Sequence, residues 1–188
     1  MKRLLFILLL FMIKVGHAQS KPASNEDFIN SIFKLVADSN TTHYYLFADA
    51  HACSFKKYDY DEWYKYALNE DVPVYILEEL AKKSFTDAAP LLWQQEKLLH
   101  AECVDEQRAK AILVSPGKRR GQNHQSSYTG NRLVYYFSRP AFTDDYQYAV
   151  IDIGFRCDDR QCGMGATYLF KQVNGKWIIA GRKSSWSS

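Results

Sequence analysis

An aspartate, a threonine and an arginine in the C-terminal third of the chain could together bind a polar ligand. These residues are Asp152, Thr167 and Arg182. On neighbouring strands their carboxylate, hydroxyl and guanidinium would supply both acceptors and donors of hydrogen bonds. In an enclosed pocket Asp152 could act as a general base. The alternative is a solvated row of charges in which the carboxylate is only paired with a neighbouring cation.

The first eighteen residues have the pattern of a secretory signal peptide. Lys2 and Arg3 precede an apolar run over residues 4–13, and small residues surround a predicted cut after Ala18. The run is too short to span a bilayer, and no cysteine follows the cut to carry a lipid anchor. Residues 19–188 are therefore predicted to form one exported domain, periplasmic or secreted, without an integral membrane segment.

Removal of this leader changes the charge of the protein. The whole chain has a formal net charge of +3, and the leader carries three cations and no acid, so residues 19–188 are neutral. A neutral domain has no general electrostatic attraction for nucleic acid. We therefore predict that the partner is a small molecule, a glycan or a protein, and not nucleic acid.

Four cysteines in an exported domain indicate disulfides. Cys157 and Cys162 flank a four-residue loop and are predicted to form one bridge. This leaves Cys53 and Cys103 for a second bridge, which would tie the helical half of the domain together.

Histidines near the second pair of cysteines leave a metal site open as an alternative. The patterns are His51-Ala52-Cys53 and His100-Ala101-Glu102-Cys103, which supply two imidazoles and two thiols. Their spacing matches no known zinc finger, and an oxidising compartment favours the disulfide. We therefore predict no metal and no cofactor, and the same compartment disfavours a cysteine nucleophile.

Aromatic residues give a second candidate binding surface. They crowd residues 58–66, which include Trp63 and Tyr64. Exposed rings of this kind can stack on sugars or hold a peptide, and the alternative is that Trp63 and Tyr64 lie in the core. The commonest catalytic motifs, such as G-x-S-x-G and H-E-x-x-H, are absent from the sequence, so catalysis is left open.

Two turn signals predict how the C-terminal strands pair. Asn174-Gly175 between apolar runs is typical of a two-residue hairpin turn, which would pair Tyr168 with Gly181. The loop at residues 158–161 would pair Ile151 with Tyr168. Both turns put the apolar side chains of their hairpins on one face, and a slip by one residue would reverse this arrangement.

The opposite face of these hairpins is predicted to combine the polar row with glycines. Gly154 falls opposite Gly165, and Arg156, a further candidate ligand group, falls opposite Gly163. Glycines weaken a strand unless another group needs the space. The polar row would then lie beside a bare glycine surface, unless a helix or loop packs closely on the glycines.

Helices are predicted before this sheet. Ser24 is a predicted N-cap for a helix over residues 25–36, and Pro73 begins another that runs to Lys82 or Lys83. The other predicted segments are a strand over 43–48, a helix over 61–68, a mixed segment over 88–113 and a long exposed loop over 115–130. The predicted fold class is α+β, with N-terminal helices packed on a C-terminal antiparallel meander of about four strands.

Five short motifs mark the C-terminal third. They are Ser138-Arg139-Pro140-Ala141-Phe142, Tyr148-Ala149-Val150, Cys157…Cys162-Gly163-Met164-Gly165, Asn174-Gly175-Lys176-Trp177 and Ser185-Trp186-Ser187. This set resembles a group of small exported bacterial proteins of unknown function with a Cys-Gly…Cys-Gly-x-Gly hairpin and an Asn-Gly-Lys-Trp strand. The chain departs from that pattern at Asp158, where the group has glycine. The order of elements is also similar to cystatin-like and NTF2-like folds, which implies a fold that hosts both enzymes and binding modules.

The sequence favours a non-catalytic function. We predict an exported, disulfide-stapled binding or envelope-associated module, because no nucleophile paired with an acid or base is visible. The alternative is a small hydrolase or isomerase in the concavity between sheet and helices, with Asp152 as general base and Arg182 as the anion partner.

Overall fold

The computed structural model describes seven parts of the chain. They are residues 21–37, 41–55, 63, 72–86, 91–114, 133–157 and 163–187. Several predictions lie outside these residues and stay predictions: the leader, the loop over 115–130, Tyr64, Cys162 and all of the helix over 61–68 except Trp63.

Three helices and nine strands make up the regular structure of the described residues. The helices are α1 (Asn25–Val36), α2 (Val74–Thr86) and α3 (Glu106–Val114). The strands are β1 (Tyr44–Phe47), β2 (Asp49–Ala50), β3 (Leu91–Leu92), β4 (Ala101–Val104), β5 (Val134–Phe137), β6 (Ala141–Phe142), β7 (Tyr148–Arg156), β8 (Gly163–Val173) and β9 (Lys176–Ser187). The α+β class is confirmed, and α1 has the predicted bounds.

The main sheet is larger than predicted and mixed. It has seven strands in the order β4-β1-β5-β7-β8-β9, with β6 also paired to β7, while β2 and β3 form a separate pair. β1 is parallel to both β4 and β5, and the remaining pairs are antiparallel. The predicted four-strand meander corresponds to β5, β7, β8 and β9, which pair antiparallel in that order but form only part of the larger sheet. The parallel pairing of β1 with β4 and β5 was not predicted, because these strands are joined by long crossovers that carry no turn signal.

The register of the first predicted hairpin is confirmed. Ile151 lies opposite Tyr168, and Gly154 lies opposite Gly165. The second hairpin turns at Asn174 and Gly175, whose φ angles of 52° and 75° suit a type I′ turn.

Farther from that turn the register of the second hairpin differs from the prediction. β9 contains one extra residue, Ala180, so that Leu169 lies opposite Gly181 and Tyr168 lies opposite Arg182. The predicted pairing of Tyr168 with Gly181 is therefore wrong by one residue, because a β-bulge moves the residues that follow Ala180 by one position. A second shift, between Gly165 and Ala166, moves the end of β9 by one more.

Helix α1 covers one face of the sheet. Its first turn is capped by Ser24, whose Oγ accepts a hydrogen bond from the backbone N–H of Asp27 at 3.1 Å. Phe28, which is 1 % exposed, packs edge-on against three rings. Their centroids lie 5.0 Å away for Phe142, 5.8 Å for Phe170 and 5.0 Å for Trp177. We call this side of the sheet the α1 face.

Helices α2 and α3 cover the opposite side, which we call the α2 face. Leu77 and Leu80 of α2 pack with Val150 of β7 and Leu169 of β8. Ala109 of α3 packs in a separate cluster beside β4 and β5. The sheet is thus enclosed between helical layers, as expected for strands that bury apolar side chains on both faces.

A glutamine side chain closes the β4 edge of the sheet. Gln95 lies in a 3₁₀ turn (Gln95–Lys97), where its amide donates to the carbonyl of Ala101 at 2.5 Å and accepts from the N–H of Cys103. These backbone groups of β4 are therefore satisfied without a further strand, which protects an edge that could otherwise pair with another chain.

Candidate functional site

Asp152 and Thr167 lie opposite each other on the α2 face and are hydrogen-bonded. The Thr167 hydroxyl donates to Asp152 Oδ1 at 2.5 Å, and the backbone N–H of Ser54 donates to Oδ2 at 2.5 Å. Both carboxylate oxygens are thus engaged. The carboxylate fastens the segment after β2 to the sheet.

Arg182 does not join these two residues. Because of the extra residue in β9, it lies opposite Tyr168, and its guanidinium carbon is 5.5 Å from the centroid of that ring. Its Nη2 is also 4.0 Å from the Met164 sulfur. Lys183 takes the position opposite Thr167. The predicted row of Asp152, Thr167 and Arg182 therefore does not form.

Two further candidate ligand groups take part in packing. The Arg156 guanidinium carbon lies 5.5 Å from the ring centroid of Phe47, and Nη1 lies 4.0 Å from a Glu106 oxygen of α3. Trp63 is 2 % exposed and packs edge-on against Phe55, with 5.3 Å between the ring centroids. Trp63 is a core residue and offers no exposed surface for stacking.

A tyrosine covers Gly154, one of the glycines of the surface predicted to be bare. Tyr136 of β5 lies opposite Gly154 of β7, and its ring occupies the space that a Cβ atom at Gly154 would take. The glycine therefore makes room for close packing by a neighbouring strand rather than for a ligand.

Cys53 and Cys103 are both free thiols, so the predicted disulfide between them is wrong. Cys53 is buried among the side chains of the α2 face, whereas Cys103 packs against the core of the α1 face. The sheet separates the two sulfurs. Cys157 takes part in a disulfide, but its predicted partner, Cys162, lies outside the described residues, so that pairing stays a prediction.

The described part of the chain also gives no support to the alternative of a zinc site. Within those ranges, no group of three or more His, Cys, Asp or Glu side chains is placed to hold a metal ion. His51 and His100 are both exposed, and their neighbouring cysteines lie on opposite faces of the sheet.

Cys53 is a buried thiol with low nucleophilicity. Its pKa is raised to about 12, first by burial, which disfavours the thiolate, and then by the negative charge of Asp152. Hydrogen bonds with Ser138 and Ser84 act in the opposite direction and are outweighed. Burial also raises the pKa of Cys103, with Glu26 and Glu96 adding to the effect. Both cysteines are therefore protonated at neutral pH.

Replacing Asp152 with asparagine is expected to lower the pKa of Cys53 while leaving it above its ordinary value. The substitution removes the repulsion between carboxylate and thiolate, but the burial remains. Alkylation of Cys53 by iodoacetamide, followed against pH by peptide mass spectrometry, should therefore begin at lower pH. Thr167→Val is the control, because it removes the hydrogen bond but keeps the charge. An equal shift in both variants would indicate loosened packing rather than electrostatics.

A cleft of about 550 Å³ lies beside this region. Its walls are residues 21–26, 52–53, 83–84 and 139–142, together with Leu91, Gln94, Lys97 and Tyr146. Cys53 and Ser84 belong to the wall, whereas Asp152 does not. The cleft is thus distinct from the predicted polar row.

The cleft lies where two parallel strands end. Residues 51–53 follow β1 and the short β2, and residues 138–140 follow β5, at the same end of the sheet. The N–H of Arg139 donates to the carbonyl of His51 at 2.7 Å and joins these two segments. Crevices beyond the carboxyl ends of parallel strands are the usual ligand sites of open sheets.

Most of the charged side chains that line the cleft are cationic. Lys21, Lys83, Lys97 and Arg139 face a single acid, Glu26. The first turn of α1 also contributes to the wall, and the N-terminus of a helix carries partial positive charge. Sequence reasoning missed this site because its charges come from segments far apart in the chain, with no motif to connect them.

Comparison with protein-family models, curated proteins and solved structures found no match to this chain. None of the helices in the described ranges is long and apolar enough to cross a membrane. The geometry of the described residues therefore defines the class of protein, an α+β domain with a mixed sheet and a basic cleft.

Proposed function

We propose that this chain is an exported binding module whose cleft holds a small organic anion. The observation that carries the proposal is the cleft of about 550 Å³ with four cationic side chains and one carboxylate in its wall. Sites for small ligands have volumes of about 300–1,000 Å³. The export part of the proposal rests on the sequence of residues 1–18 alone.

The cations of the cleft differ in their exposure and in the groups beside them. Lys83 is already paired, with Nζ 2.5 Å from Asp144 and 3.1 Å from Glu79. Lys97 is exposed at the rim. Arg139 is half-buried, and a guanidinium in such a position can hold a carboxylate or phosphate through two parallel hydrogen bonds. We assign anion recognition to Lys97 and Arg139.

The side chains in the cleft wall favour binding over catalysis. The Cys53 thiol is protonated because its pKa is raised to about 12. The Ser84 hydroxyl donates to the carbonyl of Leu80 at 2.8 Å, one helical turn earlier. Among the described residues, no histidine is hydrogen-bonded to either group as a general base would be.

Isothermal titration with two anions, citrate and the peptide Glu-Glu-Glu, tests this proposal. We expect saturable binding that weakens as the salt concentration rises, because screening reduces the attraction of an open, basic cleft. Lys97→Gln should weaken binding by up to about fivefold, the effect of one exposed charge pair.

Lys34→Gln is the matched control for this experiment. Lys34 is exposed in the last turn of α1 and lies outside the cleft wall, so the substitution makes the same change in net charge at a distant position. Absence of binding for both anions, or equal weakening by the two substitutions, would contradict the proposal.

A further inference from the structure

Glu26 is a buried acid in the wall of the cleft. The residue is 4 % exposed and belongs to the first turn of α1. Its Oε1 accepts a hydrogen bond from the backbone N–H of Gln94 at 3.2 Å. Among the described residues, no cation lies within ion-pair distance of its carboxylate.

Two of the cations that share the wall with Glu26 contact other groups. Lys83 pairs with Asp144 and Glu79. Lys21 lies over the ring of Tyr146, with 5.1 Å between Nζ and the ring centroid. Within the described ranges, the Glu26 carboxylate thus has a single backbone donor.

One hydrogen-bond donor is few for a buried carboxylate such as that of Glu26. Buried charged groups in folded proteins are normally paired or hydrogen-bonded to several partners, because water no longer solvates them. The N-terminus of α1 favours the negative charge of Glu26 through its dipole but supplies no counter-ion. Among the described residues the second carboxylate oxygen has no hydrogen bond, and Glu26 belongs to the cleft wall.

We propose that Glu26 receives a protonated amino group of the ligand. The cleft would then select small molecules that carry both an ammonium and an acidic group, with the acid held by Lys97 and Arg139. Phe142 and Tyr146 offer ring surface for the part of the ligand between the two charges. A short acidic peptide with a free amino terminus has this chemistry. This inference rests on the proposed function of the cleft.

The proposal predicts a preference for a free amine. We expect the full chain to bind Glu-Glu-Glu about tenfold more tightly than the N-acetylated peptide, because a charge-assisted hydrogen bond is worth about that factor. In the Glu26→Gln variant both peptides should bind with similar affinity. Isothermal titration of each peptide against each variant measures the difference.

Glu96→Gln is the matched control. Glu96 is an exposed acid in the 3₁₀ turn and is not part of the cleft wall, so its replacement should keep the tenfold preference. Glu26→Gln should remain folded, because a glutamine Oε1 can still accept from Gln94. Thermal melting checks that Glu26→Gln is folded. The comparison of the two peptides on the unmodified protein does not depend on this variant.

The outcomes distinguish anion binding by the cleft from amine recognition by Glu26. If neither citrate nor either peptide binds, the proposed function of the cleft fails and this inference fails with it. If citrate binds and neither peptide does, this inference alone fails. If both peptides bind the unmodified protein equally, the cleft holds anions but Glu26 does not select an amine. A preference that survives Glu26→Gln also overturns the assignment to this residue.

Discussion

Replacing Phe28 with alanine is expected to lower the free energy of unfolding by about 3–5 kcal/mol. Phe28 lies where α1 meets the sheet, and its ring contacts Phe142, Phe170 and Trp177 edge-on. Truncation removes the buried ring and leaves a cavity that the surrounding rings cannot fill without moving. Chemical denaturation measured by circular dichroism gives the change in stability.

The same substitution should also weaken anion binding. The first turn of α1 belongs to the cleft wall, and Phe142, one of the rings that holds Phe28, belongs to it as well. Leu35→Ala is the control on the same helix, because Leu35 is 43 % exposed and its truncation should cost less than about 1 kcal/mol. Equal losses of stability would contradict the packing of α1 described above.

The second large effect is expected at Gly154, where an alanine should destabilise the protein by about 1–3 kcal/mol. Alanine normally stabilises a strand relative to glycine, by roughly 0.5–1 kcal/mol. Here the added methyl group would overlap the ring of Tyr136. A denaturation midpoint that falls, rather than rises, in Gly154→Ala would therefore show that β5 and β7 approach closely at this position.

A double substitution isolates this contact. In a Tyr136→Ala background the overlap is gone, so Gly154→Ala should become neutral or stabilising. A loss of stability that is the same in both backgrounds would show that the glycine is needed for another reason.

Local signals in the sequence predicted the parts of the fold whose partners are close in the chain. The N-cap at Ser24 and the apolar spacing of α1 gave the bounds of that helix. Asn174-Gly175 determined the register beside its turn, up to the pairing of Phe170 with Ile179. Hairpins have this property because a tight turn leaves the flanking strands one way to pair.

Features that depend on distant parts of the chain were not predictable in this way. The bulge at Ala180, which turns Arg182 away from Asp152, has no residue signal in a strand of ordinary composition. Cys53 and Cys103 looked like partners because no other cysteines remained, whereas the sheet that separates them depends on the parallel pairing of β1 with β4. The cleft escaped prediction for the same reason.

The two halves of the mixed sheet differ in how far apart their paired strands lie in the sequence. The antiparallel strands β7, β8 and β9 pair with their neighbours in sequence and so can form early. The parallel strands β4, β1 and β5 meet only after long loops close, which is slow because the entropy of closure precedes the contacts that stabilise it. Since the cleft lies beyond the ends of β1 and β5, we expect it to be completed late in folding, so that a partly folded chain would have no binding site.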